Sequence, residues 1–170
     1  MRVYVASDHA GFQLKSALIA SLNARPAGEG VEVVDLGPYS EDRCDYPERA
    51  WALAEALAAH EPAHPPSSPR REALGVLICG TGIGVSMAAN RHPLIRAALA
   101  HDAFTAELAR RHNDAQVLCL GARVVGEGVA AHALEVFLRA EFEGGRHAAR
   151  VEQLGRLGQG ARESGEGGRA

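Results

Sequence analysis

Ile78-Cys79-Gly80-Thr81-Gly82-Ile83-Gly84-Val85-Ser86-Met87-Ala88-Ala89-Asn90 is the stretch on which the fold turns. The apolar residues 74–78 lead into it and read as a buried strand, and a run of small residues follows that reads as a helix. Between the two, Gly80, Gly82 and Gly84 alternate. Three glycines there let the chain turn sharply and bring backbone N–H groups close to a ligand. A strand, a glycine turn and a helix make the unit of an open α/β sheet, whose ligands bind outside the carboxyl ends of the strands. Cys79 stands at that exit. The spacing G-x-G-x-G misses the third position of a dinucleotide fingerprint, and no Gly-Lys-Ser/Thr follows as in a Walker loop. The stretch therefore reads as an anion-binding loop with a nucleophile or base built into it. The plain alternative is a tight turn beside a buried structural cysteine.

Working outward toward the amino end, residues 2–6 read as a first buried strand that exits into the polar turn Ser7-Asp8-His9-Ala10-Gly11. Residues 12–23 carry Phe12, Leu14, Leu18, Ile19 and Leu22 at near-helical spacing. A second strand is expected over 31–36. An irregular polar segment holding Asp45-Tyr46-Pro47 follows it, then an Ala/Leu-rich helix over 48–60. Residues 61–73 are rich in Pro and Ser and read as a surface loop insertion without a function. Toward the carboxyl end, strands are expected over 95–100 and 116–120. A helix over 102–112 takes Asp102 as its N-cap, and a long amphipathic helix covers 126–142. Glu143-Gly144-Gly145 breaks that helix, and another starts at Arg146 and runs to Leu157. The Gly/Arg/Glu-rich residues 158–170 are expected to be a disordered tail. Five short apolar strands alternating with helices predict one α/β domain over 1–157. It is a three-layer αβα, Rossmann-like fold with a five-stranded parallel sheet and helices on both faces.

The 170 residues suffice for one domain with a proper core, and a 46% hydrophobic content excludes a disordered chain. The net charge is -3 with acidic and basic residues mixed, which argues against nucleic acid as a partner. Lys15 is the only lysine among eighteen basic residues. Cys44, Cys79 and Cys119 are odd in number and fit neither a disulfide framework nor a zinc knuckle. No signal peptide and no apolar run long enough to span a bilayer are evident, so a cytoplasmic protein without a membrane partner is expected.

Three further groups carry chemistry. Asp8-His9 follows the first strand and so should share a sheet edge with Cys79, although an acid and an imidazole in a turn are also an ordinary capping pair. His112-Asn113-Asp114 ends a helix. That is a common C-cap, but it also suits a general acid/base with an amide neighbour to orient a substrate. Arg146 and Arg150 lie four residues apart on the first turns of a helix, where positive charge opposes the macrodipole. A bound phosphate would remove that conflict, and Arg123 could join the same site. The alternative is a solvated basic face paired with residues such as Glu143. His60, His64, His92 and His132 have no motif around them, and His101, at the end of a strand, is not singled out. No His/Asp/Glu spacing suggests a metal, and no cofactor is implied.

Taken together the motifs resemble a known family. Ser7-Asp8-His9-Ala10-Gly11, Asp45-Tyr46-Pro47, Ile78-Cys79-Gly80-Thr81-Gly82-Ile83-Gly84, Ala88-Ala89-Asn90, His112-Asn113-Asp114 and Glu143-Gly144-Gly145-Arg146-His147 occur in the order found in the type B ribose-5-phosphate isomerases and the related galactose-6-phosphate isomerase subunits. The likeness covers about residues 1–155, and the insertion at 61–73 and the tail interrupt no motif. It implies an aldose–ketose isomerase acting on D-ribose 5-phosphate and D-ribulose 5-phosphate through an enediolate, without a cofactor.

At matching positions the family's roles carry over. Cys79 looks like the base, with Val85 where other members place a catalytic glutamate. Thr81 and the N–H groups of Gly80, Gly82 and Gly84 look like the anion hole. His112 looks like the ring-opening group, assisted by Asp8. Tyr46 and Asn113 look like substrate contacts, and His9, Arg123, Arg146 and Arg150 like phosphate ligands. The resemblance also implies a homodimer, sometimes a dimer of dimers. In it His112, Asn113 and Arg123 of one subunit complete the site of the other.

The residues fit that chemistry without the likeness. The exchange needs a base for an acidic C–H, donors for the developing oxyanion and a group that opens the sugar ring. Thiolates are favoured at helix N-termini. Other readings are an isomerase of allose 6-phosphate, galactose 6-phosphate or a four-carbon sugar phosphate, a non-catalytic sugar-phosphate sensor, and a nucleotide-binding flavodoxin-like module. The joint presence of Cys79, Thr81 and His112 speaks against the sensor, and the failed dinucleotide spacing against the nucleotide module.

Overall fold

The computed structural model describes residues 1–26, 31–60 and 71–163. Five strands form one parallel sheet: β1 (Arg2–Ser7), β2 (Glu32–Asp35), β3 (Ala73–Cys79), β4 (Ala97–Leu99) and β5 (Val117–Gly121), in the order β2-β1-β3-β5-β4. The helices are α1 (Phe12–Asn23), α2 (Tyr46–His60), α3 (Ile83–Ala89), α4 (Ala103–Asn113), α5 (Glu127–Arg139) and α6 (Ala148–Glu163). Short 3₁₀ turns at His9–Gly11 and Gly145–His147 precede α1 and α6.

Strand alternation makes the layers. Val3, Val5, Leu74, Val76, Ile78, Leu118 and Leu120 pack with Leu18 of α1, Ala106 of α4 and Phe137 of α5. Tyr4, Ala6, Leu77, Cys79, Val117 and Cys119 pack with Leu53 and Leu57 of α2 and Val85 of α3. The central strand β3 is buried at all seven positions, which is why it reads as one continuous apolar run. The three-layer parallel α/β architecture expected from the alternation of strands and helices is the one found.

The chain leaves β1 for β2 on one side, while β3 joins β1 on the other, with Ser7 opposite Ile78. The sheet order reverses between β1 and β3, so the crevice of this fold opens at their carboxyl ends.

Several boundaries differ from the sequence reading. β4 has three residues where 95–100 was expected, because Asn90 caps it: its Nδ2 donates to the Ala97 carbonyl and its Oδ1 accepts from the Ala97 N–H, both at 2.8 Å. α5 stops at Arg139 instead of continuing to Phe142. Ala140 turns extended, with ψ 142°, and Phe142 folds back into a buried position. α6 continues to Glu163, six residues beyond the expected end at Leu157, so the first part of the expected disordered tail is helical. Residues 164–170 lie outside the described residues, as do 61–70 of the insertion. Two of the last three residues assigned to that insertion, Arg71 and Ala73, are buried in the core instead. Ala73 opens β3, and Arg71 is only 4% exposed. Its partner lies 43 residues away in the chain, beyond the reach of any local reading of composition.

Candidate functional site

At the carboxyl end of the sheet the glycine loop is shaped by close packing. Gly82 takes φ +78°, and a Cβ there would sit 2.5 Å from Leu99 Cδ1 and 2.9 Å from the Leu120 carbonyl carbon, so only glycine fits. A Cβ at Gly84 would lie 2.8 Å from the Tyr46 ring, which places Tyr46 directly on the loop. Cys79 is 5% exposed, and its sulfur accepts the Gly82 N–H at 3.1 Å. The Ile83 N–H reaches Thr81 Oγ1 at 3.3 Å. The Asp8 N–H donates to the Ile78 carbonyl at 3.0 Å, and Asp8 Oδ1 accepts from the Gly11 N–H at 3.0 Å. His9 Nδ1 lies 3.1 Å from the Cys44 carbonyl, on the segment that leads to Tyr46.

Lys15 braces this end from below. Its Nζ is buried between the oxygens of Asp35, at 2.5 and 2.7 Å. Asp35 holds the Gly37 N–H, and the Gly37 carbonyl accepts the Ser7 N–H beside Asp8.

Arg123 belongs to the same end. Its N–H donates to the Gly80 carbonyl at 2.9 Å, and its guanidinium stem runs 3.5 Å from where a Gly80 Cβ would stand. Arg123 therefore lies against the glycine loop of its own chain. Position after β5 decides this, because β5 pairs with β3 and ends level with Cys79. Asp8, His9, Tyr46, Cys79, Thr81, Gly80, Gly82, Gly84 and Arg123 are all brought together here. The other buried thiol near this end, Cys119, has no such donor among the described residues, and burial first and the nearby Cys79 second push it far above the ordinary cysteine range.

The remaining predicted residues gather elsewhere. His112 and Asn113 form the last turn of α4. The His112 ring stacks on the buried His147, with centroids 4.2 Å apart and planes 7° from parallel. Glu143 Oε2 lies 3.7 Å from the Nε2 of each. Glu143 is itself held by Arg111 Nε at 2.7 Å and by its own N–H on the Arg111 carbonyl at 3.0 Å. Hydrogen bonding to Arg111, above all, holds its carboxyl below the usual range. Arg146 Nε donates to His147 Nε2 at 3.3 Å, and Arg150 stands exposed one turn further on. Burial, then His112 and Arg146, push His147 below the ordinary histidine range, and Glu143 opposes them only in part.

Behind this cluster lies a charge hub that the sequence reading missed. Asp114, buried in the left-handed region at φ 47°, accepts from Arg71 at 3.0 and 2.5 Å, from Arg96 at 2.6 Å and from Arg110 at 2.9 Å. Burial by itself would raise its pKa, but the three guanidiniums outweigh it and hold the carboxyl below the usual range. Arg96 Nε also bonds the carbonyls of Asn113 and Asp114, at 3.2 and 3.1 Å, so the hub fixes the backbone that carries His112 and Asn113. The one local signal was an Asp after a helix, since Asp tolerates the left-handed region. Its three partners have no sequence signature.

The side-chain ligand atoms of His112, Glu143 and His147 lie within 4.8 Å of one another. Sequence spacing did not reveal this trio, because its members come from two elements. A metal must lie in the plane of each imidazole, at about 2.0–2.1 Å from nitrogen. Parallel rings 4.2 Å apart share no such point, so the arrangement suits exchange of protons and hydrogen bonds rather than chelation.

The two clusters sit at opposite ends of the sheet. α4 feeds the amino end of β5, where Gly75 pairs with Val117, whereas Cys79 pairs with Gly121 at the other end. Four strand steps separate those levels, roughly 13 Å at about 3.3 Å per residue.

A family model described as Ribose/Galactose Isomerase matches residues 3–154. The probable ribose-5-phosphate isomerase B of Mycoplasma pneumoniae is 46% identical over 153 residues, 89% of this chain and 91% of that protein. Ribose-5-phosphate isomerase B of Escherichia coli is 42% identical over 153 residues, 90% of this chain and 93% of that protein. Among solved structures, ribose-5-phosphate isomerase B from Mycoplasma genitalium with bound ribulose-5-phosphate superposes with a TM-score of 0.82 at 38% identity, covering 93% of this chain and 96% of that one.

Proposed function

The chain belongs to the Ribose/Galactose Isomerase family, and from that premise we propose how its residues carry the reaction. It is an isomerase, an intramolecular oxidoreductase that interconverts D-ribose 5-phosphate and D-ribulose 5-phosphate by proton transfer through an enediolate. His112 opens the sugar ring, with Asp8 on a ring oxygen. The Cys79 thiolate takes the proton from carbon 2 of the linear aldose, the electron pair moves onto the carbonyl oxygen, and the thiol returns the proton to carbon 1. The hydroxyl proton of carbon 2 passes to the oxygen on carbon 1, so the atoms balance without an external oxidant or reductant. Thr81 and the N–H groups of Gly80, Gly82 and Gly84 face the charge that develops on those oxygens. Tyr46 and Asn113 contact the sugar, and His9, Arg123, Arg146 and Arg150 hold the phosphate. A phosphate remote from the reacting carbons supplies binding energy for positioning them.

The observation that carries the assignment of the base is the Gly82 N–H pointing at Cys79 Sγ from 3.1 Å, a contact of the kind a thiolate accepts at the mouth of the crevice. The separation of Cys79 from His112 supports a shared site: a symmetric dimer can bring the His112 end of one copy to the Cys79 end of the other. Ile83 and Met87, beside the glycine loop, are 51% and 60% exposed, apolar surface of the kind that a second copy covers. A dimer of such dimers is compatible with the same contacts. Among the described residues no helix is long and apolar enough to cross a membrane. The three free thiols suit the reducing cytoplasm.

The test is an isomerase assay on ribose 5-phosphate beside allose 6-phosphate, galactose 6-phosphate and a four-carbon aldose phosphate. The highest kcat/KM should fall on ribose 5-phosphate. A preference for a longer or shorter sugar would move the substrate within the family, and phosphate binding without turnover of any sugar would make the chain a sensor.

A further inference from the structure

His147 takes no part in the steps above, yet it joins two residues that do. Its buried ring lies flat on His112, so neither imidazole can tilt without opening the stack. Its Nε2 is 3.3 Å from Arg146 Nε. Arginine only donates, so that nitrogen must carry a lone pair and His147 is neutral, with its proton on Nδ1. The other side of the trio is equally fixed, since Glu143 stands 3.7 Å from both Nε2 atoms and is tied to Arg111 through side chain and backbone. Catalytic contacts that are long in a free enzyme often shorten with substrate bound, and a shift of Arg146 onto a phosphate would be felt directly at His147.

We infer that His147 is a positioning residue that couples capture of the phosphate by Arg146 to the orientation of His112 for ring opening. The inference rests on the isomerase reading above and deepens it. His147 touches neither the reacting carbons nor the base. It holds the His112 ring at a fixed angle, and its contact with Arg146 is the point at which phosphate capture reaches that ring.

Ring opening concerns only one of the two sugars. Ribose 5-phosphate is cyclic in solution, whereas ribulose 5-phosphate has no free hydroxyl placed to close a five-membered ring and stays linear. Exchange of the carbon-1 proton of ribulose 5-phosphate with deuterated solvent therefore needs Cys79 and the enediolate but no ring opening. His147→Phe keeps an aromatic ring against His112 and removes the acceptor for Arg146. At saturating substrate its turnover of ribose 5-phosphate should fall roughly tenfold or more, while deuterium exchange into ribulose 5-phosphate stays within about twofold of wild type. KM should rise for both sugars alike. Glu143→Gln, which keeps the shape and loses the charge, should reproduce the same split more weakly.

Retained exchange shows that the variant is folded with its base intact. If turnover and exchange fall together, or if neither falls, His147 is merely structural and the inference is overturned. Wild-type protein that performs neither reaction would overturn the isomerase reading instead, which separates the two failures.

Discussion

At the carboxyl end of the sheet the site is made of backbone. Gly82, which tolerates no side chain, brings its N–H to Cys79, the Ile83 N–H reaches Thr81 and the Gly80 carbonyl accepts from Arg123, and the residues that matter lie within a few positions of one another or at adjacent strand ends. At the amino end the site is made of charge. Arg71, Arg96 and Arg110 converge on Asp114, Arg111 on Glu143, and Arg146 on a stacked pair of histidines. A loop that must face a developing oxyanion needs fixed dipoles and close approach, which glycine supplies. A group that must accept and give protons while staying half exposed needs its ring held by partners, and long charged side chains can reach it from several elements. The sheet between them keeps the two ends apart.

The largest effect should come from breaking the charged end. Asp114→Ala leaves three guanidiniums facing each other, two of them fully buried, and should destabilise the fold by about 3–5 kcal/mol in chemical denaturation. The pH dependence has a definite sign. A carboxyl held below its ordinary value contributes stability that is complete above about pH 4 and is lost as the pH falls through its folded-state value. Asp114→Asn should lack that acid-side loss. Equal stability of wild type and Asp114→Asn across this range would mean that the hub contributes nothing net.

Breaking the backbone end should spare the fold and strike the chemistry. Cys79→Ser keeps the volume but gives up its proton far less readily, so kcat should fall by roughly a hundredfold or more with ribulose 5-phosphate still bound. Near-normal kcat would assign the proton to another group. The two ends can then be tested against each other. Mixing inactive Cys79→Ala with inactive His112→Ala protein under subunit exchange should restore roughly a quarter of the sites, since half of the dimers are mixed and one site in each of those is intact. No recovery, with exchange demonstrated by mass, would put both residues in one subunit's site.

A milder effect is expected at Arg146. Arg146→Ala removes one charge-assisted phosphate contact and should cost about 2 kcal/mol, read mainly as a higher KM for ribose 5-phosphate. Equal turnover of free ribose and its phosphate in the wild type would remove the basis for that contact. The smallest effect should come from replacing residues 61–70 with a shorter Gly/Ser linker while leaving Arg71 in place. Halving a flexible loop changes closure entropy by only about 0.6 kcal/mol, so stability and kcat should stay close to wild type. The contrast with Arg71→Ala, which removes a buried partner of Asp114, would separate composition from structure within one stretch of sequence.

Much of the carboxyl-end site was legible in the sequence for a local reason. Strand, glycine turn and helix follow one another within seventeen residues, and Asp8-His9 follows another strand of the parallel sheet. Hydrophobic period and glycine spacing are properties of short windows, so they survive without knowledge of the fold. The layer architecture followed for the same reason. What only the tertiary structure decided is which distant residues meet: Arg71 with Asp114, His112 with His147, Arg123 with Gly80, and His112 apart from Cys79. The expected extension of the loop through 71–73 failed on these points. An arginine's reach and its partner are set by strand order and helix placement, and a charge bears no mark in the chain of the carboxylate that will compensate it.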